Sequence, residues 1–236
     1  MNGSMISVII PVYNEENHIA ATVELIRQRD VDKLISEIII SDGGSSDDTI
    51  RVAKLTNSFV VSSPRKGRAA QMNFAAGLAS NELLYFIHAD TTPPHGYSTD
   101  IARSFSAGAD AGCFMLAFDH DHWFLKTLCW FTRFDLDAFR YGDQSLFIRK
   151  NLFGQKNGFR EDHILMEDHE LVKRIRKKSK FVIIRLPVLT SARKYLANGI
   201  YKTQAVFFLI FFMYKLGYSQ QQLLTTYRKL IKQDKL

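Results

Sequence analysis

Residues 85–92, Tyr-Phe-Ile-His-Ala-Asp-Thr-Thr, place a histidine and a carboxylate two positions apart at the end of an apolar run. The run at 83–87 reads as a buried strand. If the chain stays extended beyond it, His88 and Asp90 point to the same side, because side chains two apart on a strand share a face. Pro93 and Pro94 then forbid continuation as strand or helix interior. The carboxyl end of a buried strand is where open α/β sheets bind ligands. Asp90 is an oxygen donor suited to Mg²⁺ or Mn²⁺, ions that keep several waters and bridge to substrate phosphates. The plainer alternative is that Asp90 caps the turn before the two prolines, since Asp is a favoured turn residue.

Two further polar groups stand at the ends of apolar elements. The run at 37–41 ends in Asp42, followed by Gly43 and Gly44, which let a ligand approach the backbone. Arg65, Lys66 and Arg68 precede a helical pattern that carries Gln71, Asn73 and Leu78. Basic side chains at a helix N-terminus act in the same direction as its dipole and suit an anion. A solvated basic loop remains the alternative. Asp119-His120-Asp121-His122 invites a metal reading, but adjacent loop residues rarely present a closed ligand set, and a polar turn explains them as well.

These groups require elements to hold them. The β-branched run at 5–12 predicts a strand buried on both faces. A helix through about residue 29 follows, with Ile19, Val23 and Ile26 at helical spacing. A helix capped by Ser46 or Asp47 runs to about residue 55, and 59–61 is a short strand. Strand, loop and helix in alternation predict a doubly wound α/β layer with a mostly parallel central sheet flanked by helices. No G-x-G-x-x-G follows the first strand, and no G-x-x-x-x-G-K-[ST] occurs. Further on, 109–118 and 145–148 read as strands, 123–139 as an aromatic amphipathic element, the stretch from Asp168 as a helix with Leu171, Val172 and Ile175 on one face, and 181–186 as a last strand.

With 236 residues, 46% hydrophobic and 23% charged, the chain can bury a full core and is not expected to be disordered. A formal charge of +7 and a pI near 9.4 suit anionic partners. No nucleic-acid-binding module is recognisable, so nucleic acid is not an expected partner. Cys113 and Cys129 are isolated in sequence and read as buried thiols in a reducing compartment. The N-terminus enters a strand almost at once, so no signal peptide is expected. Together these point to the cytoplasm.

Val-Ile-Ile-Pro-Val-Tyr-Asn-Glu at 8–15, Ser-Asp-Gly-Gly-Ser-Ser-Asp-Asp-Thr at 41–49 and Gly-Arg-Ala-Ala-Gln-Met-Asn at 67–73 resemble the family 2 glycosyltransferases of GT-A fold. His-Ala-Asp at 88–90 falls where that family has its Asp-x-Asp metal motif. The resemblance continues through Tyr141-Gly142-Asp143-Gln144, Met166-Glu167-Asp168-His169-Glu170-Leu171 and Ser191-Ala192-Arg193-Lys194, and is closest to a bacterial subgroup with a His-Ala-Asp motif. It implies inverting transfer of a sugar from a nucleotide-diphosphate sugar to a hydroxyl acceptor. Pro11, Tyr13, Glu15 and Asp42 would hold the nucleotide, Lys66 and Arg68 the diphosphate, and Asp90 a divalent cation, Mg²⁺ or Mn²⁺. His88, Asp143 and Gln144 would complete the donor site. Asp168, with Glu167 beside it, would be the catalytic base. His88 departs from the family's usual first acid, which loosens the expectation of strict metal dependence. A nucleotidyltransferase, and a degenerate domain that binds a nucleotide sugar or partner without catalysis, are the competing readings.

The resemblance assigns residues 1–195 to the transferase domain and leaves 196–236 as a helical extension expected to be amphipathic. Its apolar block at 205–213 is too short to span a bilayer, which needs about 20 apolar residues. Lying on the inner face of a membrane, packing on the domain and forming a homodimer are all open to it. The acceptor, lipid-linked or otherwise, is not identified by composition.

Overall fold

The computed structural model describes residues 5–136 and 142–232. Eight strands form one sheet: β1 (Ile6–Val12), β2 (Ile35–Asp42), β3 (Phe59–Ser62), β4 (Leu83–Phe86), β5 (Thr91–Thr92), β6 (Ala111–Phe118), β7 (Phe147–Arg149) and β8 (Phe181–Thr190). Their order across the sheet is β3-β2-β1-β4-β7-β6-β8-β5. The half β3-β2-β1-β4 is parallel, β7 runs antiparallel to both β4 and β6, and β8 is parallel to β6. The mixed α/β architecture agrees with the expected layer, and the strands read at 5–12, 37–41, 59–61 and 83–87 are all present.

Alternation along β1 divides the core. Ile6, Val8, Ile10 and Val12 face one layer, where α1 (Ile19–Gln28) and α4 (Tyr97–Ser106) bury Ile19, Val23, Ile26, Tyr97 and Ile101. Ile9 faces the other, against α3 (Arg68–Leu78), α6 (Lys150–Gln155) and α7 (Glu167–Arg176). The short α2 (Thr49–Lys54) joins the first layer through Ala53. Its entry is steadied by Asp47, whose Oδ1 accepts from the Thr49 amide at 3.0 Å.

Three elements differ from the sequence reading. Instead of ending at 186, β8 runs on to Thr190, because the register jumps from Phe114↔Ile184 to Met115↔Pro187. Arg185 and Leu186 bulge out, and Pro187 enters the strand just after that irregularity, a position that tolerates a missing N–H. The aromatic element at 123–139 is a nine-residue helix, α5 (Trp123–Phe131), which stops where Thr132 Oγ1 donates to the Cys129 carbonyl at 2.6 Å. The end of that reading, 137–139, lies outside the described residues, as does Tyr141. A 3-10 turn, Gly142–Gln144, precedes β7.

The tail is helical: α8 (Arg193–Asn198), α9 (Ile200–Lys215) and α10 (Gln220–Leu230). The amphipathic member is α10, with Leu223, Leu224 and Tyr227 buried and Arg228 and Lys229 exposed. α9 is apolar on both faces. Val206 and Ile210 pack with α10 and with Leu165 and Met166, just before α7. Gln220 Oε1 accepts from the amides of Ile164 and Leu165 at 3.0 and 3.1 Å. Among the described residues, no helix is long and apolar enough to cross a membrane.

Candidate active site

Parallel register brings the first two loops together. Val12 pairs with Asp42 and Pro11 with Ser41, so β1 and β2 end side by side. β4 pairs with β1 as far as Ile9↔Phe86, and the Ile87 amide still donates to the Ile9 carbonyl at 3.0 Å. The chain then turns at Ala89-Asp90. His88 and Asp90 therefore do not share a strand face, contrary to the extended expectation, and the two side chains take different partners.

Asp90 belongs to a cluster centred on Arg193, at the start of α8. The guanidinium meets Asp90 Oδ2 at 2.9 Å, and donates to Glu15 Oε1 at 2.9 Å and Oε2 at 3.2 Å. Glu15 is buried, and its own amide donates to Thr49 Oγ1 at 2.7 Å. Arg193 thus ties the loop after β1 to the turn after β4. Burial opposes its charge, but the Glu15 hydrogen bond and the Asp90 carboxylate hold its pKa above the ordinary value.

His88 belongs to a second cluster. Its Nδ1 lies 2.9 Å from Asp143 Oδ1 in the 3-10 turn, and its Nε2 lies 3.4 Å from Arg68 Nη1. Arg68 pairs closely with Glu167 and reaches Asp168 Oδ2 at 3.3 Å. Asp143, His88, Arg68, Glu167 and Asp168 form one linked cluster in which two cationic groups lie between carboxylates. Burial raises the pKa of Glu167, and the neighbouring Asp168 charge adds to this against the pull of Arg68. Gly142 lets this cluster close up: a Cβ there would stand 2.0 Å from Asp168 Oδ2.

The His88–Asp143 pair gives a pH signature. Burial and the Arg68 charge work against the imidazolium, but the Asp143 hydrogen bond together with the charges of Asp143 and Asp168 raises the His88 pKa. Lost hydration works against the Asp143 carboxylate, yet the His88 bond and the charges of His88, Lys194 and Arg68 hold it well below the usual range. A raised histidine stabilises fully below its unfolded value, about 6.5, and loses that contribution as pH rises through the folded value. A lowered Asp contributes above its unfolded value, about 3.9, and loses it as pH falls through the folded value. The stability difference between wild type and His88→Gln is therefore expected to peak between about pH 4 and 6.5 and to shrink on either side. Urea unfolding across that range measures it. A difference independent of pH would mean that the pair carries no net charge interaction.

The remaining sequence candidates are placed as follows. Asp42 is buried and accepts from the Gly44 amide at 2.8 Å, the Ser45 amide at 3.2 Å and Ser45 Oγ at 2.5 Å, so it shapes its own loop. Pro11 is buried within β1 and Tyr13 is half-buried at its end. Lys66 is exposed above the Asp42 loop, its Cε 3.7 Å from where a Gly44 Cβ would stand. Gln144 is buried and its amide donates to the Phe114 carbonyl at 3.2 Å, which pins the 3-10 turn to β6. Asp119 Oδ1 accepts from the Ala192 amide at 2.7 Å, Asp121 pairs with Lys126, and His122 Nδ1 accepts from the Phe124 amide at the start of α5. That tetrad is a polar turn, and the described residues contain no group of three or more metal-ligating side chains.

Helix α3 is the bracket behind the site. Arg68 serves the cleft, while Gln71 donates to the Val12 and Ser41 carbonyls at 2.7 and 2.8 Å. Asn73 exchanges hydrogen bonds with the Phe159 backbone, at 2.8 Å as donor and 2.9 Å as acceptor. One helix thus fastens both the first loops and the segment leading to Asp168. Arg193 is the site residue to which sequence reading gave no task. Its only signal was its place in the Ser191-Ala192-Arg193-Lys194 run. On the tail side, Asp143 borders a hollow lined by Leu116, Phe118, Leu128, Tyr195 and Phe207.

A family model for glycosyl transferase family 2 matches residues 7–176. Glucosyl-3-phosphoglycerate synthase of Mycobacterium tuberculosis is 36% identical over 103 residues, which is 39% of this chain and 31% of that protein. An uncharacterized glycosyltransferase of Rickettsia typhi is 32% identical over 85 residues, 36% of this chain and 27% of that protein. The matches thus span about a third or less of those relatives' lengths. Among solved structures, S. aureus TarS 1-349 in complex with UDP-GlcNAc superposes with a TM-score of 0.67 at 14% identity, covering 96% of this chain and 71% of that one. The M. tuberculosis synthase in complex with Mn²⁺, UDP-glucose and phosphoglyceric acid superposes with a TM-score of 0.67 at 17% identity, covering 92% and 81%.

Proposed function

This chain belongs to glycosyl transferase family 2 and has the GT-A fold, and on that premise we propose that it moves a sugar from a nucleoside-diphosphate sugar to a hydroxyl acceptor with inversion at the anomeric carbon. The observation that carries this reading is the presence of two neighbouring cation–carboxylate clusters, Arg193 with Glu15 and Asp90, and Arg68 with Glu167 and Asp168, both of which feel the charge of Asp143. In this reading Pro11, Tyr13, Glu15 and Asp42 surround the nucleoside. Lys66 and Arg68 face the diphosphate. His88, Asp143 and Gln144 border the donor sugar. Residues 1–195 form the transferase unit and 196–236 its extension.

The acceptor oxygen bonds to the anomeric carbon as the bond from that carbon to the diphosphate oxygen breaks. The hydroxyl proton passes to Asp168, and the nucleoside diphosphate leaves with the bonding pair. Attack from the face opposite the leaving group inverts the centre. Arg68 balances the charge that the carboxylates bring to the cleft.

Asp90 fits a divalent cation. It is one partly open carboxylate that already holds a cationic group, and Mg²⁺ or Mn²⁺ takes its other ligands from diphosphate and water. When bound, such an ion supplies Lewis-acid stabilisation of the leaving group. His88, held by Asp143 and Arg68, orients rather than ligates. The Mn²⁺ and UDP-glucose in the M. tuberculosis structure support this reading, and the phosphoglyceric acid there supports a hydroxyl acceptor.

A thermal-shift panel of nucleoside diphosphates and nucleotide sugars, with and without Mn²⁺ or Mg²⁺, tests the proposal. A ligand at about 100 times its Kd stabilises by about 2.7 kcal/mol. Asp90→Asn is expected to lose the metal-dependent part of the shift. No shift with any nucleotide sugar, with or without metal, would overturn the donor reading.

A further inference from the structure

Helix α9 exposes a stripe that a soluble surface does not explain. Tyr201, Leu209, Phe212 and Leu216 are 55, 43, 59 and 77% exposed, and with exposed Ala205 they recur every three or four residues along one side. Trp123, at the start of α5, is 66% exposed and its ring lies 6.5 Å from that of Tyr201, extending the stripe onto a second helix. Contiguous exposed apolar surface of this kind marks an interaction site.

The charge around it is one-sided. Residues 171–233 contain 14 Lys and Arg and no Asp or Glu, whereas residues 1–170 contain 23 acids and 16 bases. Lys202 and Lys215 flank the stripe on α9, and Arg228, Lys229 and Lys232 stand exposed on and after α10. The acid beside Trp123, Asp121, is already paired with Lys126. An apolar stripe with indole and phenol margins and a basic surround complements anionic headgroups over acyl chains. At 16 residues α9 is about 24 Å long, shorter than the roughly 30 Å hydrocarbon core, so it lies along a bilayer and does not cross it. A two-fold contact between copies would set the same lysines against each other.

We propose that the α5–α9 face docks this protein on an anionic phospholipid surface, with α9 in the headgroup plane. The docking is independent of the transfer chemistry and is read without donor or acceptor. Flotation of the full chain is compared on phosphatidylcholine vesicles and on phosphatidylcholine–phosphatidylglycerol vesicles. Binding is expected on the anionic vesicles, at least about tenfold weaker on the neutral ones, and weaker in high salt. Lys202→Gln with Lys215→Gln should lower it about 25-fold, at about fivefold per lysine. Phe212→Ser with Leu216→Ser should lower it by about tenfold or more. Both pairs are exposed, so unfolding midpoints should stay at the wild-type value and separate lost docking from lost fold. Absence of binding to either vesicle, or binding that both double variants retain in full, overturns the proposal. So does a dimer in sedimentation equilibrium that Phe212→Ser with Leu216→Ser abolishes without any vesicle binding, which would assign the face to a second copy.

Discussion

Asp168→Asn is expected to slow sugar transfer by about 10²–10⁴-fold, the usual loss when a placed general base is removed, while donor binding stays at the wild-type level. The substitution keeps the side chain's shape, which matters because Gly142 leaves no slack there: a Cβ at 142 would already lie within 2.0 Å of Asp168 Oδ2. An amide can still accept from Arg68, 3.3 Å away, so the fold should hold. The measurement is a single-turnover rate with saturating donor, beside a donor thermal shift. A variant that transfers at the wild-type rate would remove Asp168 from the chemistry. A variant that fails to fold would make it structural.

Arg68→Ala should produce the largest loss of stability. Its partner Glu167 is 1% exposed, and among the described residues its Oε2 has no hydrogen-bond partner. Removing the guanidinium strands a buried carboxylate, a change that costs about 3 kcal/mol, near the lower end for buried pairs. The lower end applies because the Arg68 side chain is 42% exposed and water can partly replace it. In a chain of this size that lowers Tm by about 6–12 °C. Adding Glu167→Gln should recover much of the loss, since a neutral amide tolerates the site better than an unpaired charge. Chemical denaturation of wild type and the two variants measures both effects. Equal stability of wild type and Arg68→Ala would show that the pair does not support the fold.

The strands ending in Asp42 and near Asp90 were legible because a strand buried on both faces writes itself as a continuous apolar run, and the acid or turn residue that ends it is equally plain. The helix carrying Gln71 and Asn73 was legible for its spacing. The partners of these residues were not. Arg193 meets Glu15 across 178 positions, and His88 meets Asp143 across 55. Such contacts follow from strand order, and local pattern does not encode the order β4-β7-β6-β8. The strand was read through Ile87 into an extended His88–Asp90, but β1 holds it only as far as the Ile87 amide and the chain turns at Ala89-Asp90. The two residues of β5 are too few to leave a period, and Pro187 disguised the second half of β8. In α9 apolar content was plain, but its outward and inward faces could be told apart only once α10 had packed on one of them.

Met166 has a left-handed backbone, φ 67°, rarely adopted by a side chain of its size. It packs in the cluster of Val206, Ile210, Leu223 and Tyr227, and His169, one turn on, abuts the rings of Phe211 and Tyr214. The two residues between them are Glu167 and Asp168. The acid pair is thus held between two residues that rest on the tail, so the packing of α9 and α10 and the position of Asp168 share one short stretch of backbone.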